Sequence, residues 1–140
     1  MLAVADGTVV MAKDGLPDNV PRHNGEFTPA LEMTPETVFG NHIVLDLGGQ
    51  QFATYCHLQP GSMRINVGDH VRRGQVLAKI GDSGDAREPH LHFEVTTSPK
   101  LMAGEGLPYL IDHFRVKVQT DSERRTGELP LKDMVIDFGQ

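Results

Sequence analysis

The sequence predicts an all-β fold, an antiparallel β-sandwich or a partly open barrel. Short runs of about six residues, rich in β-branched and aromatic side chains, recur along the chain and are bounded by Gly, Pro or Asp. The 15 glycines and 9 prolines fall between these runs, where turns are expected. No long window has helical periodicity, although the residues near Met102 are compatible with a short helical turn. Together these observations favour a sandwich or barrel architecture.

We predict seven strands. They are Thr8–Lys13, His42–Leu47, Gln51–Leu58, Gln75–Ile80, His90–Thr96, Phe114–Thr120 and Asp133–Phe138. Gly48 and Gly49 predict a two-residue hairpin turn between the second and third strands, because glycine tolerates the positive φ of such turns. Two further tight corners are predicted at residues 67–69 and 72–74.

Two stretches between the strands are predicted to be irregular. Residues 14–39, called the Pro-rich segment below, contain four prolines and are long for a loop within a compact domain. Loops of that length are usually functional or mobile. Asp121–Pro130, which includes Glu123-Arg124-Arg125, is predicted to be a charged, solvated connector before the last strand.

Length, charge and composition exclude several classes of protein. A chain of 140 residues is long enough for one domain with a buried core. The net charge of −6 makes non-specific nucleic-acid binding an unfavourable interpretation. The longest apolar run, Met1–Ala5, is too short to span a membrane, and Asp6 and Gly7 interrupt any signal-peptide core, so we expect neither element in these residues. Cys56 is the single cysteine, so no intrachain disulfide forms.

His90 and His92 lie in the segment that is most informative about chemistry. On a strand, alternate side chains share a face, so the two imidazoles point the same way, with their backbones about 6.6 Å apart. Leu91 and Phe93 then point into the core and anchor the pair. Such a pair suits one metal ligand plus one general base, two ligands of one metal, or two half-buried histidines with ordinary hydrogen bonds.

His57 is the third candidate. Strand alternation places Tyr55 and His57 on one face and Cys56 and Leu58 on the other. If this strand lies near the one that carries His90, three imidazoles converge on one groove, where a histidine can act as a general base near neutral pH. Cys56 is predicted to be a small core residue that points away from the groove.

The other histidines have no partner pattern, and we predict structural or solvated roles for them. They are His23, His42, His70 and His113. Residues 81–89, which precede the His90 pair, contain two glycines and end in Pro89, so they are predicted to form a tight turn beside the groove.

Taken together, these motifs resemble the core of the lysostaphin-type zinc metallopeptidases, which cleave peptide cross-links in bacterial peptidoglycan. The resemblance runs from Leu2 to about Thr96 and rests on segments that follow in the family's order. These are Ala3–Val10, Gly40–Leu45, Tyr55–Leu58, Val67–Gln75, Gly81–Gly84 and Pro89–Val95.

The resemblance implies a fold, a cofactor and roles for three residues. The fold would be an antiparallel β-structure of the duplicated hybrid motif type, with a narrow groove between sheets. His92 would be a zinc ligand, while His90 and His57 would flank the metal-bound water and the scissile carbonyl, as base and as stabiliser of the oxyanion. Zinc, a peptidoglycan peptide as substrate, and a location in the cell envelope or periplasm follow as expectations.

The chain also departs from the family pattern. The family takes two further zinc ligands from a His-x-x-x-Asp motif ahead of the Ala-Asp-Gly turn, and no such motif precedes that turn in these residues; the one His-x-x-x-Asp spacing, from His42 to Asp46, lies after it. We therefore expect an N-terminally truncated domain that binds zinc weakly and lacks peptidase activity in isolation. Glu88 replaces the glycine that usually precedes the Pro-His pair. Exposed strand edges would permit a homodimer.

For domain organisation we expect a peptidase-like core at residues 1–98, into which 14–39 is inserted. Residues 99–140 would form a C-terminal extension packed on the same domain. One alternative function is a degenerate, non-catalytic member that binds a cell-wall peptide or a partner protein. A biotinyl or lipoyl carrier domain is a poorer interpretation, because Lys79 lies within a predicted strand and not at a hairpin tip.

Overall fold

The computed structural model describes residues 1–20, 24, 26–118 and 121–138. Its strands are β1 (Gly7–Lys13), β2 (Asn41–Asp46), β3 (Phe52–Leu58), β4 (His70–Val71), β5 (His92–Thr96), β6 (Ile111–Val118), β7 (Asp121–Glu128) and β8 (Ile136–Asp137). Every pairing between these strands is antiparallel, and none of the described residues is α-helical. The all-β prediction is confirmed, and the sheets do not close into a barrel. No helix in these ranges is long and apolar enough to cross a membrane.

The chain divides into two compact units, Met1–Leu107 and Pro108–Gln140. The first contains a five-stranded sheet in the order β4-β1-β2-β3-β5. Residues that face each other across a ladder point to the same side, so Leu45 opposite Ala53 and Ile43 opposite Tyr55 build one apolar face. That face is fully buried in the core of this unit. The core holds β3 and β5 rigidly in register, and these strands carry the candidate site.

The predicted hairpin turn between β2 and β3 is present. Gly48 and Gly49 both have positive φ, as expected, and Gln50 follows them in the same left-handed region. The N–H of Leu47 donates to the carbonyl of Gln51 at 2.9 Å, so three residues and not two form the turn.

The prediction of a strand at Gln75–Ile80 is wrong. Only isolated bridges occur there, from Val76 to Leu2 and from Ile80 to Leu58. The extended chain changes its pairing partner every residue or two, so no continuous ladder forms. The strand predicted to start at His90 begins at His92.

The prediction of an irregular connector at Asp121–Pro130 is also wrong, since most of it forms β7. This strand pairs with β6 from Val118 opposite Asp121 to Ile111 opposite Glu128. Its side chains are almost all exposed, so charged residues are tolerated on both faces. The sequence therefore lacks the alternating apolar pattern by which a strand is predicted. The last predicted strand is shortened to Ile136–Asp137. Thr120, predicted to end a strand, lies outside the described residues, and packing of the extension on the core stays a prediction.

Candidate active site

Three histidines meet at one end of the five-stranded sheet. His57 lies near the end of β3, His92 begins β5, and His90 precedes β5 by two residues. The ring centroids of His57 and His90 are 4.8 Å apart, and those of His57 and His92 are 5.7 Å apart. His57 is 4% exposed, whereas His90 is exposed and His92 is half-buried. The structure therefore brings together the three site residues that the sequence predicts.

His57 does not reach this cluster by the regular alternation of side chains along β3. Tyr55 was expected to share a face with His57, but it packs in the core against Phe93, with ring centroids 5.1 Å apart. His57 has a φ of +61°, and the β2–β3 ladder shifts register between Asn41 and Ile43. This left-handed residue breaks the alternation and turns the imidazole toward His92.

The prediction that Cys56 points away from the groove is wrong. Cys56 lies directly opposite His92 in the β3–β5 ladder and so shares its face, instead of pointing away from it. The thiol is fully buried, and burial, with a smaller effect from the charge of Glu94, raises the pKa of Cys56 to about 12. A thiol that stays protonated at neutral pH is a poor nucleophile.

Backbone carbonyls fix the protonation of the two predicted catalytic rings. Nδ1 of His57 lies 2.8 Å from the carbonyl of Ser83, and Nδ1 of His90 lies 2.8 Å from the carbonyl of Glu88. A carbonyl only accepts hydrogen bonds, so both Nδ1 atoms carry the proton and donate it. In the neutral rings, Nε2 therefore bears the lone pair. This is the form that a general base requires.

Burial lowers the pKa of His57, and the neighbouring charges of His90 and His92 lower it further. The hydrogen bond to Ser83 and the charge of Asp85 oppose this shift but do not cancel it. His57 is consequently neutral at pH 7 and able to accept a proton.

Acidification is expected to destabilise the fold through His57 and His42, because burial lowers the pKa of both imidazoles. Histidine in the unfolded chain titrates near about 6.5, so below that pH the unfolded chain binds more protons than the folded one. The free energy of unfolding should therefore fall as the pH drops from about 7.5 to about 5.5, as urea titrations would measure. His42→Gln should flatten this dependence. A free energy of unfolding that rises on acidification would contradict the assignment.

A cavity of about 170 Å³ adjoins His92 on the groove side. Glu94 lines it, and one of its carboxylate oxygens lies 3.7 Å from Nε2 of His92. Phe39, from the end of the Pro-rich segment, contacts the His92 ring edge-on at 6.0 Å between centroids. The cavity is large enough for one amino-acid side chain.

The metal set implied by the resemblance is incomplete. Within the ranges that the structure describes, no three or more His, Cys, Asp or Glu side chains converge to hold a metal ion. His92 is one donor, whereas a catalytic zinc centre normally has three protein ligands. The residues present do not fit a complete zinc site.

The remaining histidines lie apart from this cluster. His42 is buried and donates from Nδ1 to the carbonyl of Gly40, and His70 hydrogen-bonds Thr8 at the far edge of the sheet. His113 lies on β6 in the second unit. His23 lies outside the described residues.

Sequence reasoning missed the contribution of Ser83. It acts through its backbone carbonyl, which every residue possesses, so the residue type gave no signal. Gly40 and Gly84 did give a signal in the sequence, because glycine is required where two backbone segments approach closely. A Cβ on Gly84 or Gly40 would collide with the opposing backbone, which shows how closely these two chain segments approach.

Residues 1–103 match the sequence model of Peptidase family M23. The cell division protein DipM of Caulobacter vibrioides is 30% identical over 96 residues, which cover 69% of this chain and 15% of DipM. The peptidoglycan DD-endopeptidase ShyB of Vibrio cholerae is 38% identical over 56 residues, which cover 40% of this chain and 13% of ShyB. The chain thus corresponds to a small part of these relatives.

The fold is similar to that of a solved structure. The catalytic domain of the antimicrobial peptidase lysostaphin from Staphylococcus simulans superposes with a TM-score of 0.52 and 23% identity. The superposition covers 76% of this chain and 65% of that domain. At this level of identity the likeness concerns the fold.

Proposed function

This chain belongs to peptidase family M23. From that membership we propose that it forms the part of an active site that carries the general base, in an enzyme that hydrolyses peptide cross-links in peptidoglycan. The observation that carries the proposal is the convergence of His57, His90 and His92, with two of the rings anchored through Nδ1. A structural sheet has no need of such an arrangement. The name of ShyB describes a peptidoglycan endopeptidase, which supports this substrate class.

His57 is the proposed general base. Its ring is neutral, its Nδ1–H is held by the Ser83 carbonyl, and Nε2 accepts the proton of the attacking water. His90 is the proposed stabiliser of the oxyanion. Because its Nδ1–H already donates to Glu88, it reaches the oxyanion from Nε2, which carries a proton only in the imidazolium form.

His92 is the residue that would hold zinc, which polarises a carbonyl and activates water in such enzymes. Since the described residues provide too few donors for a complete site, we propose that residues 1–140 alone are not hydrolytically competent.

We expect purified 1–140 to release no soluble peptide from peptidoglycan sacculi in the presence of zinc, and to bind less than one equivalent of zinc. Elemental analysis after dialysis measures the zinc, and chromatography of the supernatant measures the peptide. The matched control is lysostaphin, whose catalytic domain shares the fold. Peptide release that a chelator abolishes would overturn the proposed inactivity.

The incomplete donor set favours a second candidate, a binding module that holds a cell-wall peptide without cleaving it. The cavity beside His92 is lined by Phe39, Glu94 and other side chains that could contact a peptide. Under this alternative, 1–140 cosediments with sacculi, and supplying the missing ligands does not produce hydrolysis. Under the hydrolase proposal, supplying them does. Either role places the protein at the cell envelope, and the homodimer stays a prediction.

A further inference from the structure

The Pro-rich segment contributes to the histidine cluster from a distance. We propose that Asn19, in this segment, is a positioning residue for His57 and acts through the carbonyl of Ser83. The inference rests on the proposed function to the extent that His57 is taken as the general base. The contacts themselves are independent of that role.

Asn19 is 6% exposed, and its side chain uses both of its amide donors on the same turn. Nδ2 donates to the carbonyls of Gly84 at 2.7 Å and Ala86 at 2.8 Å. Oδ1 accepts from the N–H of Ala30 at 2.8 Å, so the amide joins two parts of the Pro-rich segment to the turn. An amide supplies two donors and an acceptor, which a carboxylate cannot do.

The backbone of Asn19 and the side chain of Asp18 contact the residue before Ser83 in the same turn. The N–H of Asn19 donates to the carbonyl of Asp82 at 3.0 Å. The N–H of Asp82 donates in turn to the Asp18 carboxylate at 2.8 Å. Asp18 also forms an isolated antiparallel bridge with Ser83. The Pro-rich segment therefore holds the residues immediately before and after Ser83.

Ser83 transmits this restraint to the catalytic ring. Its carbonyl accepts the Nδ1–H of His57 at 2.8 Å. Its hydroxyl accepts from the N–H of Asn41 and donates to the carbonyl of Leu58, so the side chain is fixed to β2 and β3. The residues that follow Ser83 are held by the Asn19 side chain through the carbonyls of Gly84 and Ala86, and we call this pair of contacts the Asn19 clamp. Without the Asn19 amide, only the N–H of Asn19 and the Asp18 carboxylate still hold this side of the turn.

The turn needs an external restraint because it is rich in glycine. Gly81 and Gly84 flank the contact, and Gly84 has a φ of +77°. Glycine populates many backbone conformations, so such a turn has no single preferred shape of its own. Removing the Asn19 amide leaves the buried carbonyls of Gly84 and Ala86 without their donor, which costs about 1–3 kcal/mol for each buried group. The turn should then relax, and His57 should lose its fixed tautomer.

The experiment is a long-range ¹H–¹⁵N correlation on ¹⁵N-labelled 1–140, which reports the tautomer of each histidine ring. In the unmodified chain we expect His57 in the Nδ1–H form. In Asn19→Ala we expect His57 shifts averaged between the two tautomers, and exchange of its Nδ1 proton faster by about tenfold or more. Asn19→Asp keeps the shape and the acceptor but loses both donors, and it should have the same effect.

The matched control is Thr37→Ala in the same segment. The Thr37 hydroxyl bonds only to residues within the segment, Glu32 and Thr34, so its loss should leave the His57 tautomer unchanged. The ring signals of His70, which bonds Thr8 at the far edge of the sheet, report that each variant is folded.

An unchanged His57 tautomer and proton exchange rate in folded Asn19→Asp or Asn19→Ala would overturn the positioning role. An equal change in Thr37→Ala would overturn it as well, since the segment would then act only as a whole. The readout requires no hydrolysis. Failure of the proposed peptidase function would therefore leave this result intact, and failure of the clamp would leave the peptidase function to be tested separately.

Discussion

Gly84→Ala is expected to lower the free energy of unfolding by more than about 3 kcal/mol, enough to unfold a large share of a marginally stable domain. Gly84 has a φ of +77°, where an L side chain is strained. A Cβ there would also lie 2.3 Å from the N of Gly40 and 2.6 Å from the carbonyl oxygen of Val38. Both are backbone atoms, so no side-chain rotation relieves the collision.

Gly48→Ala is the matched control. Gly48 has a similar φ of +82°, but a Cβ there would meet nothing within 4 Å. Its substitution should cost only the left-handed backbone strain, about 1–2 kcal/mol. Urea titrations followed by circular dichroism measure both losses. Equal destabilisation by the two substitutions would show that the approach of Gly84 to Gly40 is not a stability determinant.

The histidine cluster could be predicted because its signal is local. His90 and His92 alternate across a single residue, so any strand brings them to one face. The position of His57 was predicted for a partly mistaken reason. Regular alternation would have placed it with Tyr55, which is in the core, and only the positive φ of His57 brings it to the groove. Histidine rarely adopts that conformation, and the sequence carries no sign of it.

The errors in the strands have a common physical origin. Periodicity reports burial on one face and not backbone pairing, so β7, exposed on both faces, resembles a charged loop. Conversely, Gln75–Ile80 is apolar and extended but never keeps one partner for long. The pairing of a strand depends on distant segments. A pattern read within six residues cannot supply that information.

The support of the site was the least predictable part. Ser83 contributes a carbonyl, and Asn19 binds the carbonyl of the next residue, Gly84, from a segment more than sixty residues earlier in the chain. The length of the Pro-rich segment alone predicts that it is either functional or mobile. What its length did not reveal was the contact, because an asparagine in a polar loop has no distinguishing pattern.

The largest effect on catalysis is expected at His57, in a protein that joins the His-x-x-x-Asp segment of a family member ahead of Met1. Supplying these donors should produce chelator-sensitive release of peptide from sacculi. In that protein His57→Gln should lower kcat by about 10²–10⁴-fold, the usual contribution of a general base. The substrate KM should change little, because glutamine keeps a polar side chain in the groove but has no basic nitrogen.

His70→Gln is the control for this substitution. His70 is exposed and bonds the hydroxyl of Thr8, far from the cluster, so its loss should leave kcat unchanged. A rate in His57→Gln within about threefold of the parent would remove His57 from the role of base. His90→Gln would then be the variant to compare, because His90 is the other ring whose Nδ1 is held by a carbonyl. If the joined protein binds zinc and sacculi and still releases nothing, the groove is a binding site, and the anchored imidazoles serve recognition of the peptide and not its hydrolysis.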